Sequence, residues 1–183
     1  DSILSLPPEI FPIRKAAESP ESDMAIYGGD CLVVITENKL FLTKISDMTE
    51  MCWCNQKLYV FSTALKKSRL SSSKLSIFSR ELVKIGSVSS PHIAEMVAAS
   101  PENNRVVICN RHFLTVFDFD PSNSIKKPPQ AKFQESHIGW EEFSMTVTTF
   151  TIIEPILNVV CGLENELWLH LKTKTSAGNF TES

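Results

Sequence analysis

The sequence predicts an all-β fold made of antiparallel hairpins, and three observations predict it. Short apolar runs rich in β-branched and aromatic residues recur along the chain, they come in pairs joined by three or four residues, and an Asn sits in the tip of every pair. A short Asn side chain bonds nearby backbone and tolerates a left-handed conformation, which suits a tight tip.

Each element can be justified in order. Residues 1–25 carry Pro7, Pro8, Pro12 and Pro20 among Ser and Glu. That composition disfavours both helix and ladder, so an extended lead-in is expected, with Ile3, Leu4, Leu6, Ile10 and Phe11 lying on a neighbouring surface. Gly28-Gly29-Asp30 is a turn signal, and residues 26–175 form the β-repeat module. Its first hairpin joins Cys31-Leu32-Val33-Val34-Ile35 to Leu40-Phe41-Leu42-Thr43-Lys44-Ile45 through Thr36-Glu37-Asn38-Lys39. The second joins Met51-Cys52-Trp53-Cys54 to Leu58-Tyr59-Val60-Phe61 through Asn55-Gln56-Lys57. The third joins Val106-Val107-Ile108-Cys109 to Phe113-Leu114-Thr115-Val116-Phe117 through Asn110-Arg111-His112. The fourth joins Val159-Val160-Cys161-Gly162 to Leu167-Trp168-Leu169-His170-Leu171 through Leu163-Glu164-Asn165-Glu166. Residues 176–183 are a polar tail. Buried valines are expected at Val33, Val107 and Val160, and a core of Trp53, Phe41, Tyr59, Phe117 and Trp168.

The third hairpin has a legible upstream context. Ile93-Ala94-Glu95-Met96-Val97-Ala98-Ala99 runs into Ser100-Pro101-Glu102-Asn103-Asn104, and the hairpin closes on Phe117-Asp118. From Ile93 to Asp120 this resembles a degenerate WD-repeat blade: a small-residue strand, a Ser-Pro turn, a buried strand, a polar tip and an aromatic strand ending on aromatic-Asp. No Gly-His precedes the blades, Phe117-Asp118 stands for Trp-Asp, and the tip holds Arg111 and His112. The family's structural hydrogen-bond network is therefore not carried over. The resemblance implies a β-propeller. At about 40–45 residues per blade the chain holds about four, the lower limit of closed rings, so the remaining blades are expected in a missing segment or a partner chain. A β-sandwich is the alternative, since it too shows short strands between turn signals.

Composition narrows the function. The chain of 183 residues is 43% hydrophobic and 21% charged, ordinary for a globular protein, and its formal net charge of -3 supplies no global attraction to nucleic acid or an anionic membrane. No run is long and apolar enough to span a bilayer. The chain begins with Asp1 and reads as a piece of something longer. Five cysteines (Cys31, Cys52, Cys54, Cys109, Cys161) are an odd number set mostly in apolar runs, which fits an intracellular, reducing setting, cytoplasmic rather than nuclear. The sequon Asn179-Phe180-Thr181 points the other way, but so short a match arises by chance.

Two basic segments are expected as solvated loops between strands: Lys66 to Lys74, with four basic residues and four serines in nine positions, and Lys126 to Lys132, stiffened by Pro128-Pro129. Neither interleaves aromatics with charge as single-strand binders do. Catalytic and metal patterns are absent from the sequence: Cys52-Trp53-Cys54 has one residue between thiols rather than two, His92, His112, His137 and His170 are scattered, and no nucleophile elbow or phosphate-cradling Gly series occurs. The chain is therefore read as a non-catalytic protein-interaction platform, a scaffold-type module without cofactor or metal. Lys66, Lys67, Arg69, Lys74, Arg111, His112, Lys126 and Lys127 are the candidate contact residues for a protein partner. Binding of nucleic acid or a phosphate-bearing ligand through the basic loops is one alternative, and an enzyme without a recognisable motif is another.

Overall fold

A computed structural model describes residues 4–66, 69–90, 93–109, 113–119, 131–137, 147–153, 158–163, 168–173 and 180–182. Every regular element among them is a β-strand or a single 3-10 turn. The strands form four sheets of four, each antiparallel and each in simple sequential order.

The first sheet holds β1 (Ile13–Glu18), β2 (Met24–Gly28), β3 (Cys31–Ile35) and β4 (Leu40–Lys44), and the second holds β5 (Met48–Cys54), β6 (Lys57–Lys66), β7 (Arg69–Phe78) and β8 (Lys84–Ser90). The third contains β9 (Met96–Ser100), β10 (Arg105–Cys109), β11 (Phe113–Phe119) and β12 (Ala131–His137). The fourth contains β13 (Val147–Ile153), β14 (Asn158–Leu163), β15 (Trp168–Thr173) and β16 (Phe180–Glu182). The chain divides into two compact units, the first with the sheets of β1–β8 and the second with those of β9–β16.

All four expected hairpins are paired strands, but they are not copies of one position. They fall on β3–β4, β5–β6, β10–β11 and β14–β15. The pattern marks one hairpin in each sheet, so the number of sheets follows from it while the repeat boundaries do not. A truer repeat lies in the backbone. In three of the sheets the first strand carries a register shift around its second residue: Ile13/Lys15, Met48/Glu50 and Val147/Thr149. An extra residue there bends the strand and adds twist.

In the first unit the two sheets pack face to face. Ala25, Tyr27, Leu32 and Val34 of the first sheet meet Met48, Met51, Trp53, Leu58, Val60 and Phe78 of the second, with Leu82 at the edge. The first strands lie side by side: the Trp53 indole N–H donates to the Ala17 carbonyl at 3.0 Å, and Lys15 pairs with Glu50. The Tyr27 hydroxyl accepts the Met48 N–H at 3.4 Å and donates to Asp30 at 3.3 Å, tying β2 to the start of β5. Along β6, Leu58 and Val60 face this core while the alternate Tyr59 and Phe61 point the other way, and all are buried, so both faces of β6 are covered. In the second unit Val106, Val107, Ile108 and Phe117 are buried. The expected core residues Val33, Val107, Trp53, Tyr59 and Phe117 are buried, Phe41 is partly so, and Val160 and Trp168 have side chains outside the described set.

Ala131 and Lys132 of the second basic segment open β12 rather than lying in a loop, Phe180–Glu182 of the tail form β16, and two segments of the first unit also differ from expectation. In the proline-bearing start Pro8–Ile10 make a 3-10 turn, and β1 then pairs with β2 from Ile13 to Glu18, because Pro12 and Pro20 both fall outside the ladder. Before it, Ile10 is fully buried against Ile26 and Val33, whereas Leu4 and Phe11 stay exposed. The backbone approaches so closely that a Cβ on Gly28 would stand 2.0 Å from the Ile10 carbonyl oxygen. The second difference is the Lys66 to Lys74 segment, which is strand rather than loop. Leu65 pairs with Leu70 and Lys66 with Arg69, leaving only residues 67 and 68 between the strands. Serine does not have to seek water here: the Ser73 hydroxyl donates to the Ser62 carbonyl at 3.2 Å, and Ser72 and Ser73 take ladder positions opposite Ala64 and Thr63. Ladder partners of β5 end at Ser62 and those of β8 at Ser73, so residues 64–66 and 69–72 form a two-stranded ribbon extending past the sheet.

Candidate functional site

The structure separates the candidate contact residues. Lys66 closes β6, Arg69 opens β7, and Lys74 lies exposed further along β7. Lys67, Arg111, His112, Lys126 and Lys127 lie outside the described residues. Lys74 has a neighbour that sequence spacing did not suggest. Lys84 on β8 has its ammonium pushed below the ordinary lysine range, first by partial burial and then by the charge of Lys74. Burial and a like charge both disfavour the protonated form. The basic surface is thus assembled across two strands.

The thiols behave as packing. Cys31, Cys52 and Cys54 are free. Cys52 and Cys54, two apart on β5, share a face of the sheet, with Tyr59 opposite Cys52 in the ladder. Burial pushes the Cys54 thiol up to about 11, and it raises Cys52 and the Tyr59 hydroxyl as well. A thiol held protonated in this way is a poor nucleophile and a poor metal ligand.

The best-defined polar constellation in the described structure joins two turns. Ser19, between β1 and β2, accepts the backbone N–H groups of Glu21 at 3.2 Å and Asp23 at 3.0 Å through its hydroxyl. Ser79, between β7 and β8, does the same for Glu81 and Val83, both at 3.2 Å. In each turn the fourth residue is left-handed, Ser22 at φ 66° and Leu82 at φ 56°. The common sequence is Ser-x-Glu: Ser19-Pro20-Glu21 and Ser79-Arg80-Glu81. Ser100-Pro101-Glu102 starts at the last residue of β9 and leads toward β10, close to the position that Ser19 has in the first sheet, and there the left-handed residue is Asn104. That recurrence was a signal available in the sequence. It marks turns, and one of the turns carries a side chain that joins the two sheets.

This side chain is Arg80. Its guanidinium reaches from the second sheet to the buried carboxylate of Asp23 in the first, Nε donating to Oδ2 and Nη2 to Oδ1 at 2.8 Å. Such a fork fixes the plane of the guanidinium. Beside it opens a cleft of about 330 Å³, lined by the tip 36–39 with Phe41 on one side and by Arg80 and Glu81 on the other. The tip is held closed by the Thr36 N–H, which donates to the Lys39 carbonyl at 2.9 Å. The sequence marked 36–39 as a hairpin tip, but nothing in it linked that tip to residue 80.

No helix among the described residues is long and apolar enough to cross a membrane. No family model matches the chain, and no curated protein matches it. Among solved structures, a chain in an S. cerevisiae complex described as Dbp5 bound to Nup159, Gle1, IP6 and ADP is similar, at 10% identity and a TM-score of 0.39. The similarity covers 92% of this chain and 60% of that one, so this chain spans less than two thirds of its length.

Proposed function

We propose that the chain is a non-catalytic interaction module of β-propeller type, similar to a degenerate WD-repeat protein, that holds protein partners inside the cell, in the cytoplasm rather than the nucleus. One observation carries this reading: four successive four-stranded meanders in strict chain order, without the Greek-key crossings typical of immunoglobulin-type sandwiches. The side-by-side first strands β1 and β5, and β9 and β13, support it, as does the bulge at the second residue of three first strands. Four blades are few for a closed ring, so further blades would come from elsewhere in the polypeptide or from a partner. The free thiols fit a reducing compartment.

The ribbon is the contact element of this proposal, because it extends past the sheet and ends on the Lys66–Arg69 pair, with Lys67 next to Lys66 in the sequence. Exposed charges of one sign act mainly through steering and are screened over about 8–10 Å at physiological salt. Capture of partners by the parent chain and by a variant with Lys66, Lys67, Arg69 and Lys74 all changed to Ser tests it. Proteins recovered with the parent at low salt should be lost from the variant and should fall away as salt rises, while the variant keeps its urea midpoint. Equal recovery by both chains would remove the ribbon from the contact surface. Failure to retain any protein at stoichiometric level would overturn the module reading itself.

A further inference from the structure

We propose that the cleft between the 36–39 tip and Arg80 receives a Lys or Arg side chain from an extended segment of a partner polypeptide. This rests on reading the chain as an interaction module and assigns one site a ligand chemistry. The charges decide the sign of the occupant. Arg80 is neutralised by Asp23, whose carboxylate is buried and bonded to it through both oxygens. Of the remaining lining groups, Glu37 and Glu81 are carboxylates and Lys39 is the ammonium, which leaves one carboxylate in excess. A phosphate or a carboxylate entering the cleft would meet this excess of like charge. A cation meets them as partners.

The shape fits the same occupant. Phe41 offers an aromatic ring in the wall, partly buried and anchored against the core of the two sheets, and a cation over such a ring gains from the negative face of its π system. Arg80 contributes a fixed donor rather than a free charge. With Nε and Nη2 bonded to Asp23, Nη1 is the guanidinium nitrogen left, among the described residues, to donate to a peptide carbonyl beside the bound side chain. Because Asp23 is itself held by the Ser19 turn, that donor needs little reorganisation when the ligand arrives. At about 330 Å³ the cleft is at the small end of ligand pockets, a size for one long side chain with its flanking peptide groups.

The test uses the whole chain, isotope-labelled for amide NMR, and blocked pentapeptides with Gly-Ser flanks and a central Arg, citrulline or Glu. The Arg peptide should shift the amides of residues 36–41 and 79–82 saturably, and citrulline, equal in shape without the charge, should bind about fivefold more weakly. Glu37→Gln together with Glu81→Gln should weaken the Arg peptide by about the same factor. Lys39→Gln should tighten it, because a like charge is removed; an anion site would respond in the opposite sense. Tighter binding of the Glu peptide, weakening by Lys39→Gln, or an Arg peptide that leaves residues 36–41 and 79–82 unshifted would each overturn the proposal. The variant with the four ribbon residues changed to Ser retains the cleft, so it should bind the Arg peptide like the parent. Loss of peptide binding with partner capture intact would reject the cleft alone and leave the module reading standing.

Discussion

At the scale of single residues, the thiols of buried Cys54 and half-buried Cys52 show how environment sets chemistry. Cys54 sits at 1% exposure, and its thiol is pushed from an ordinary 9.0 up to about 11. The folded state therefore holds a proton that the unfolded chain releases first. Stability from this group is fully present below about pH 9 and is lost as pH rises toward about 11, because the unfolded state then binds fewer protons. Cys52 and Tyr59 act in the same direction, so the alkaline loss should exceed that of one group. Urea midpoints followed upward from pH 8 should fall, and Cys54→Ala should make the fall shallower though it lowers the midpoint at every pH. A midpoint that is flat across this range would show that the thiols are not buried as described. Two thiols on one strand face could be read directly from the Cys-x-Cys spacing. The Arg80–Asp23 fork could not, since it joins residues 57 positions apart and depends on how two sheets meet.

At the scale of elements, the docking of the amino-terminal segment depends on two glycines. The Cβ of Gly28→Ala would be placed 2.0 Å from the Ile10 carbonyl oxygen and 2.3 Å from that of Pro12, both backbone atoms with little room to yield. Overpacking of this kind typically costs about 1–3 kcal/mol. Gly29 adds a left-handed φ of 54° and a similar approach to Glu9. From the other side, Ile10→Ala removes a side chain that is fully buried on Ile26 and Val33, with an expected cost of about 2–5 kcal/mol. Both changes loosen the same contact, so the double variant should lose less than the two single losses added together. Urea unfolding of the three variants checks this; full additivity would mean that Gly28 and Ile10 act on separate contacts. The sequence marks Gly28-Gly29 as a turn and Ile10 as a residue lying on a neighbouring surface. It did not connect them, because close approach of one backbone to another leaves no mark in composition.

At the scale of the whole molecule, protection should be uneven within each sheet. The interior strand β6 is buried on both faces and pairs on both edges, whereas β4 and β8 present partly or fully exposed side chains at the end of their sheets. Hydrogen exchange should therefore be slowest at Leu58–Phe61 and Leu75–Ile77 and faster along β4 and β8. Protection of β8 equal to that of β6 would show that its outer edge is covered. The all-β class, the four hairpins, the burial of Val33, Val107, Trp53, Tyr59 and Phe117 and the face shared by Cys52 and Cys54 were determined by the sequence alone. Each depends on local alternation, on the polarity of three or four residues in a tip, or on side chains two apart sharing a face. Tertiary structure decided the rest: that β1 is recruited from a proline-bearing segment, that a Ser- and Lys-rich run continues as a ribbon, and that Arg80 of one sheet meets Asp23 and the 36–39 tip of another. Those outcomes depend on which backbone donors, carboxylates and apolar faces find partners far along the chain, and no pattern within a window of residues encodes the distance between two sheets.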